Sequence, residues 1–316
     1  MCGIIAAASE RNVGKLLVKG LHKMEYRGYD SAGIALHQND KIVHLRTLGK
    51  VKLLEEKMIS EKPKSKLGIA HTRWATHGPP NDKNAHPHLS EDGDIAIVHN
   101  GIIENYDVLR QELESKGYVF NSDTDTEVLC YLIADIKKNT GHKLGKSVRL
   151  ALQQVVGAYA IVVMCKDEHN KLIAARKSSP LVLGIGKEND FYVASDATPI
   201  VEYTKQVVYL NDGEIAILNE QKGLKLYNID EVKKDPYIEE LELHLEALEK
   251  GGYDHFMLKE IHEQPHSIED CFRGRLNAKE GWVSLGGIKY YENDIINANR
   301  IVMVACGTSW HACLVG

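Results

Sequence analysis

Stacked antiparallel sheets covered by helices, an α+β architecture, is the fold class this chain predicts. Three observations carry the prediction. Apolar or β-branched runs bounded by Gly, Asp or Asn cluster along the sequence instead of alternating one for one with helices. Two helical stretches, near 125–138 and 144–156, follow one another before strands resume. No internal repeat or low-complexity tract points to a repeating βαβ barrel.

In order, strands are expected at 2–8, 31–37, 67–74, 94–99, 158–165, 181–185, 190–194, 207–210 and 214–218. Val13, Leu16, Leu17, Gly20, Leu21 and Met24 form a helical stripe, and so do Val128, Leu129, Leu132, Ile133 and Ile136. Asn105 can cap a helix to about Lys116, with Gly117 ending it. Thr124 to Glu127 fits a capping box. The texture changes near residue 235. Ile238 to Lys250 is charged and helical, and Gly251-Gly252 breaks it. A helix over about His255 to Phe272 contains Pro265, which predicts a kink or break. Arg300 to Ser309 reads as a buried parallel strand entering a small-residue turn. One strand cannot make a sheet, so this stretch reads as the first βα unit of a domain that is cut off.

With 316 residues, 43% of them hydrophobic and 26% charged, the chain has the makeup of a globular protein. A net charge of −5 gives no electrostatic reason to bind nucleic acid or an anionic membrane. No apolar stretch reaches the ~20 residues that span a bilayer, and the N-terminus lacks a secretory n-region. Cys2, Cys130, Cys165, Cys271, Cys306 and Cys313 are scattered without a C-x-x-C pair. That usage fits a reducing compartment, so a cytoplasmic location is expected.

Cys2 opens the chemistry. If Met1 is removed, one Cα carries both a thiol and a free α-amine, with ordinary pKa values of roughly 8.5 and 7.7–8.0. A nucleophile and a base are then joined at no folding cost. By itself, a cysteine in an apolar run reads as a small buried hydrophobe. Three further segments change that reading. Tyr26-Arg27-Gly28-Tyr29-Asp30-Ser31 places an Arg and a Gly in a turn before a strand. His71 to Gly78, followed by His86-Pro87-His88, places several hydrogen-bonding side chains after one strand, with Arg73 suited to a carboxylate. His99-Asn100-Gly101 ends another strand. The Asn100 amide and the Gly101 N–H can form an oxyanion hole, each donor being worth roughly 2.7–4 kcal/mol in a transition state; an Asn-Gly turn is the plainer reading. His71, His77, His86, His88 and His99 match no common zinc spacing, and no carboxylate completes a set, so no metal is expected. Asp125 is an N-cap candidate or a partner for an ammonium group. Together these groups would recognise a free amino acid and attack its side-chain amide, releasing ammonia and leaving a thioester.

The chain resembles the glutamine–fructose-6-phosphate aminotransferase family. The resemblance rests on Met1-Cys2-Gly3-Ile4, Glu25 to Gly33, His71 to Gly78, Asn84 to His88, His99 to Asn105 and Thr124 to Glu127. Tyr253-Asp254-His255, Lys259 to Pro265 and Cys306-Gly307-Thr308-Ser309 extend it to the C-terminus. It implies an N-terminal-nucleophile hydrolase fold, a four-layer αββα sandwich, over 1–235. A linker would follow at 236–252, then the truncated start of a sugar-isomerase domain at 253–316. It implies Cys2 as nucleophile, its α-amine as base, and Asn100 and Gly101 as the oxyanion hole. Arg73 would hold the glutamine α-carboxylate with Thr76 and His77 beside it, and Asp125 the α-ammonium. Arg27 and Trp74 would close over the site, and His86 would line it. Thr308 and Ser309 would be part of an incomplete sugar-phosphate site. No cofactor is implied. The implied partners are L-glutamine, fructose 6-phosphate in the complete enzyme, and a second copy when full length. No phosphoribosyl-pyrophosphate or ATP-pyrophosphatase loop points to a different acceptor. A non-catalytic glutamine sensor or regulatory module of the same fold is the alternative, and the state of the mature N-terminus separates the two.

Overall fold

The computed structural model describes residues 2–75, 78–241, 252–273, 275–277, 280–283 and 291–316. Two compact units divide the chain, Met1–Leu245 and Glu246–Gly316.

The first unit runs β1 (Gly3–Ala8), α1 (Val13–Met24), β2 (Ser31–Gln38), β3 (Lys41–Leu48), α2 (Val51–Glu61), β4 (Leu67–Arg73), β5 (His88–Leu89) and β6 (Ile95–Ile103). It continues with α3 (Tyr106–Ser115), α4 (Asp125–Thr140), α5 (Leu144–Leu152), β7 (Gly157–Cys165), β8 (Lys171–Lys177), β9 (Val182–Ile185) and β10 (Phe191–Ala194). β11 (Gln206–Tyr209), β12 (Glu214–Asn219), β13 (Gly223–Asn228), β14 (Lys233–Lys234) and β15 (Glu239–Glu240) complete it. One sheet has the order β15-β11-β9-β10-β1-β4-β2-β3, the other β14-β13-β12-β8-β7-β6-β5. The pairings of β1, β6 and β7, which form the middle of the fold, are all antiparallel.

Strand periodicity sorts the side chains into layers, because alternate residues face opposite sides. From β1, Ile4, Ala6 and Ala8 enter the core between the sheets, where Leu67, Ile69, Ala96, Val98, Ala160, Val162, Ala174 and Ala216 meet them. The many alanines at these positions keep that layer thin. The other faces of β6 and β7 present Ile95, Ile97, Ile161 and Val163 to Val128, Leu129, Leu132 and Ile133 of α4 and Val148 and Leu152 of α5. On the opposite outside, α1 packs on β1 and β4, and α2 on β2 and β3. Gly20 lets α1 seat closely, since a Cβ there would lie 2.1 Å from Ile5 Cδ1. The result is the αββα sandwich that the resemblance implied.

The strands expected in this unit and the helices at α1, α3 and α4 form, with two differences: β6 runs on to Ile103, so Asn100-Gly101 lie within the strand and not at its end, and the Asn105 side chain does not cap α3 but accepts the Val156 N–H. β3, β8, β13 and α2 form as well, without a strong signal in the sequence. α2 buries only Val51 and Leu54, so its apolar stripe is too narrow to stand out. The apolar centre of β8 is four residues, Leu172–Ala175, inside lysine-rich ends. The helix expected at 144–156 stops at Leu152. The helix expected over 238–250 is corrected where it is described: Glu239–Glu240 are a strand paired with Gln206 and Val207, and 242–250 lie outside the described residues. Pairing with β11 supplies cross-strand backbone partners that outweigh the good helix propensity of these two glutamates.

In the second unit, α6 (Phe256–Phe272), a β16–β17 hairpin (Leu276–Asn277 with Trp282–Val283), α7 (Glu292–Ile296) and α8 (Gly307–Val315) are present. α6 runs through Pro265 without the expected break. The Ile261 carbonyl, which loses its donor there, belongs to a residue 52% exposed, so water can satisfy it. The strand expected in Arg300–Ser309 does not form. Ile301, Val302, Met303 and Val304 are exposed and carry no strand. No described strand pairs with them, and an apolar run without a neighbouring ladder has no partner for its backbone groups.

Candidate active site

β1, β4, β6 and the start of α4 converge at one end of the sandwich on a pocket of about 270 Å³. Cys2, Arg27, Arg73, Trp74, His86, Asn100, Gly101 and Asp125 all line it. These are eight of the ten residues the sequence assigned to the glutamine site; Thr76 and His77 lie outside the described residues. Met1 also lies outside them.

Cys2 immediately precedes β1. Its Sγ accepts the Trp74 N–H at 3.2 Å. Burial pushes the thiol pKa up, against the pull of the Trp74 N–H and the Arg73 charge. The thiol is therefore not a preformed thiolate and needs a base to attack. Asn100 Nδ2 donates to the Cys2 carbonyl at 2.9 Å, across 98 residues of sequence. A carboxamide has two N–H donors, so a second remains for the pocket. Gly101 has φ +134°, and a Cβ there would lie 2.1 Å from the Ala158 oxygen. Only glycine fits this backbone.

The two charges that could bind an amino acid's ends are both buried. Arg73, 3% exposed, ends β4 and donates to the Gly78 and Pro79 carbonyls at 3.2 and 3.3 Å. Asp125, 4% exposed, is the first residue of α4, where the helix dipole favours a carboxylate. Its Oδ2 accepts the Ile103 N–H at 2.8 Å. Thr124 caps the helix by accepting the Glu127 N–H. The reciprocal arm of a capping box is absent, because the Glu127 carboxylate accepts from Asn121 and Ser122 instead.

Arg27 donates to Ser195 and forms an ion pair with Asp196 at 3.0 Å. The Trp74 ring stands edge-on to Tyr29 at 5.3 Å, and Asp30 accepts the Ala75 N–H at 2.8 Å, pinning the segment behind it. Ile102, Ser179 and Pro180 also line the pocket, and sequence reasoning missed them. Ser179 and Pro180 lie far along the chain and carry no local signal. Ile102 is an ordinary strand residue until the β6 register aims it.

The histidines behave as hydrogen-bonding groups. His86 Nε2 and His99 Nδ1 each lie 2.9 Å from Thr126 Oγ1, and His88 Nε2 lies 3.0 Å from Thr124 Oγ1. Among the described residues no group of three or more His, Cys, Asp or Glu side chains is disposed to hold a metal. Burial pushes the pKa of His71 down to about 3 and that of His44 to about 4, and lowers those of His86, His88 and His99. The unfolded chain binds protons at these sites from about pH 6.5 downwards while the folded chain does not. Stability from the neutral histidines is thus full above pH 6.5 and is lost as pH falls towards 3. At pH 5, His71 alone costs about 2 kcal/mol, at 1.36 kcal/mol per pH unit. The thermal midpoint should therefore fall between pH 7.5 and pH 5; a flat profile would rule out neutral buried histidines.

Comparison with known proteins defines the class. The glutamine amidotransferase domain family matches residues 71–216. Glutamine phosphoribosylpyrophosphate amidotransferase from B. subtilis superposes with a TM-score of 0.62 at 28% identity, covering 72% of this chain and 49% of that one. A second solved structure, an allosteric regulatory enzyme of purine biosynthesis, gives 0.62 at 30% identity, covering 72% and 49% of the two chains. The first unit has the N-terminal-nucleophile hydrolase fold of these amidotransferases, and its residues 71–216 match the glutamine amidotransferase domain family.

More particularly, the resemblance read from the motifs extends over the whole chain. It is 53% identical to the glutamine--fructose-6-phosphate aminotransferase [isomerizing] of Bacteroides thetaiotaomicron and 51% identical to that of Chlorobaculum tepidum. All of this chain and 52% of each relative are covered. The chain spans about half the length of the curated relatives it matches.

Proposed function

We propose that this chain hydrolyses the side-chain amide of L-glutamine through a thioester on Cys2. One observation carries the reading: the Asn100 carboxamide sits on the backbone of Cys2, in the pocket that also holds Arg73 and Asp125. Arg73 binds the α-carboxylate and Asp125 the α-ammonium, which fixes glutamine by both ends of its amino-acid group. Cys2 Sγ attacks the side-chain amide carbon while the Cys2 α-amine takes the thiol proton. The carbonyl oxygen becomes an oxyanion held by Asn100 Nδ2 and the Gly101 N–H. The protonated amine passes its proton to the leaving nitrogen, the C–N bond breaks and ammonia departs. Water, deprotonated by the same amine, then attacks the thioester and frees glutamate and the thiol. His86, Thr76 and His77 support the binding site, and Arg27 and Trp74 cover it.

The α-amine acts only when Met1 has been removed, because otherwise it lies one residue away from the thiol. In the complete protein the ammonia goes to fructose 6-phosphate to give glucosamine 6-phosphate, the entry to hexosamine synthesis. Thr308 and Ser309, in the exposed first turn of α8, would there face the sugar phosphate. The domain reading is an amidotransferase over 1–235, a linker at 236–252 and the start of a sugar-isomerase domain from 253, in a cytoplasmic enzyme that dimerises at full length. No described helix is long and apolar enough to cross a membrane.

Intact mass and peptide mapping after incubation with 6-diazo-5-oxo-L-norleucine, an electrophilic glutamine mimic, test this reading. The expected product has lost Met1 and carries one adduct on Cys2. A processed chain without an adduct, or with adducts on Cys130 or Cys165, would overturn it in favour of a binding module.

A further inference from the structure

We propose that His71 is a positioning residue for this reaction: as the Nε2–H tautomer it donates to Asn100 Oδ1 and so aims the Asn100 amide N–H groups at Cys2 and the pocket. This rests on the function proposed above.

The geometry assigns the tautomer. His71 Nε2 lies 2.9 Å from Asn100 Oδ1 and 3.2 Å from the His99 carbonyl oxygen. Asn100 Nδ2 donates to the Cys2 carbonyl, which identifies the other amide atom as the acceptor Oδ1. Nε2 therefore faces two acceptors and must carry the proton. Among the described residues Nδ1 is buried without a partner, so a proton there would be an unsatisfied donor while the Nε2 lone pair met two oxygens. A carboxamide flipped by 180° would turn Oδ1 onto the Cys2 carbonyl and the developing oxyanion, and lone pairs would then repel where donors are needed. The His71 proton penalises that flip, since it would then face an NH₂ group.

The ring itself is held. His71 is 1% exposed and lies in the β4 register opposite Ile4. The His86 ring stacks on it, with centroids 4.3 Å apart and planes 25° from parallel. His86 is tied in turn through Thr126 Oγ1 to His99, so the stack is anchored beside Asp125 at the start of α4. Burial keeps His71 neutral at ordinary pH, so it presents one N–H without adding a positive charge beside Arg73. His71 touches neither the thiol nor the reacting atoms; its effect passes through Asn100.

The test compares the processed full chain with His71→Leu and His71→Gln in glutamine hydrolysis. A Gln side chain places its Nε2 where the imidazole Nε2 lies, whereas Leu offers no donor. His71→Leu should lower kcat about 10- to 100-fold at nearly unchanged KM, while His71→Gln should stay within about threefold of the parent. Losing an oxyanion donor outright costs roughly 10²–10³ in kcat. In an Asn100→Ala background, His71→Leu should add almost no further loss, an outcome that a general structural role would not give. If His71→Leu does not fold, His71→Asn replaces it: its shorter amide cannot reach Asn100, and the same loss is expected. Three results would overturn the positioning role while leaving the amidase reading intact: full activity in His71→Leu, equal losses in Leu and Gln variants, or additive losses with Asn100→Ala. A processed parent chain that releases no ammonia would overturn the amidase reading and this role with it.

Discussion

Cys2→Ala is expected to abolish ammonia release from glutamine, with kcat down at least about 10³-fold, as for the loss of a nucleophile elsewhere. The size of the effect follows from the chemistry: without Sγ there is no thioester, and water must attack a resonance-stabilised amide directly. The binding half of the site does not depend on the thiol. Arg73 and Asp125 are fixed by their own backbone partners, so calorimetry should still detect glutamine binding by the variant. Cys2→Ser makes the sharper comparison. The hydroxyl fits the same place, but its pKa lies far above that of the α-amine, so the built-in base cannot activate it usefully. Ammonia release is read with a coupled glutamate assay. Retention of a tenth or more of the parent activity in Cys2→Ala would exclude Cys2 as the nucleophile.

Asn100→Ala should lower kcat by roughly 10²–10³, equivalent to about 2.7–4 kcal/mol, with a much smaller change in KM. The split matters because the amide meets the substrate oxygen most strongly once that oxygen is negative. The variant also strips the His71 Nε2–H of its nearer acceptor and the Cys2 carbonyl of its donor. Part of the loss therefore reflects looser placement of Cys2. Asn100→Asp separates the contributions: a carboxylate keeps the size but puts negative charge against the oxyanion, so it should do no better than Ala. Equal activity in the parent and Asn100→Ala would remove this residue from the oxyanion hole and leave the Gly101 N–H to act alone.

Much of the protein was legible in order along the chain. The strand runs, the α1 and α4 stripes and the Thr124 cap are local signals, and each reads from a few neighbouring residues. Cys2, Asn100-Gly101, Arg73 and Asp125 were legible as candidates, because a thiol beside an α-amine and an Asn-Gly pair after an apolar run are chemically unusual in combination, and the structure gathers them around one pocket. Two of the failures share one cause. At Glu239–Glu240 and at Ile301–Val304, strand or helix depends on whether a neighbouring ladder exists, and that neighbour is remote in sequence. Ser179 and Pro180 join the pocket for the same reason.

The sequence by itself determined the composition of the layers and the reactive groups. The tertiary structure alone decided which of those groups meet. Pairing of β1 with β4, and stacking of β1 against β6, brings Cys2 to Asn100 across 98 residues. The same convergence turns His71 from a strand residue of ambiguous purpose into a buried, neutral donor aimed at one oxygen. Periodicity is written residue by residue, whereas register and burial are set cooperatively by every strand in both sheets, and hydrogen-bond direction follows only once they are fixed.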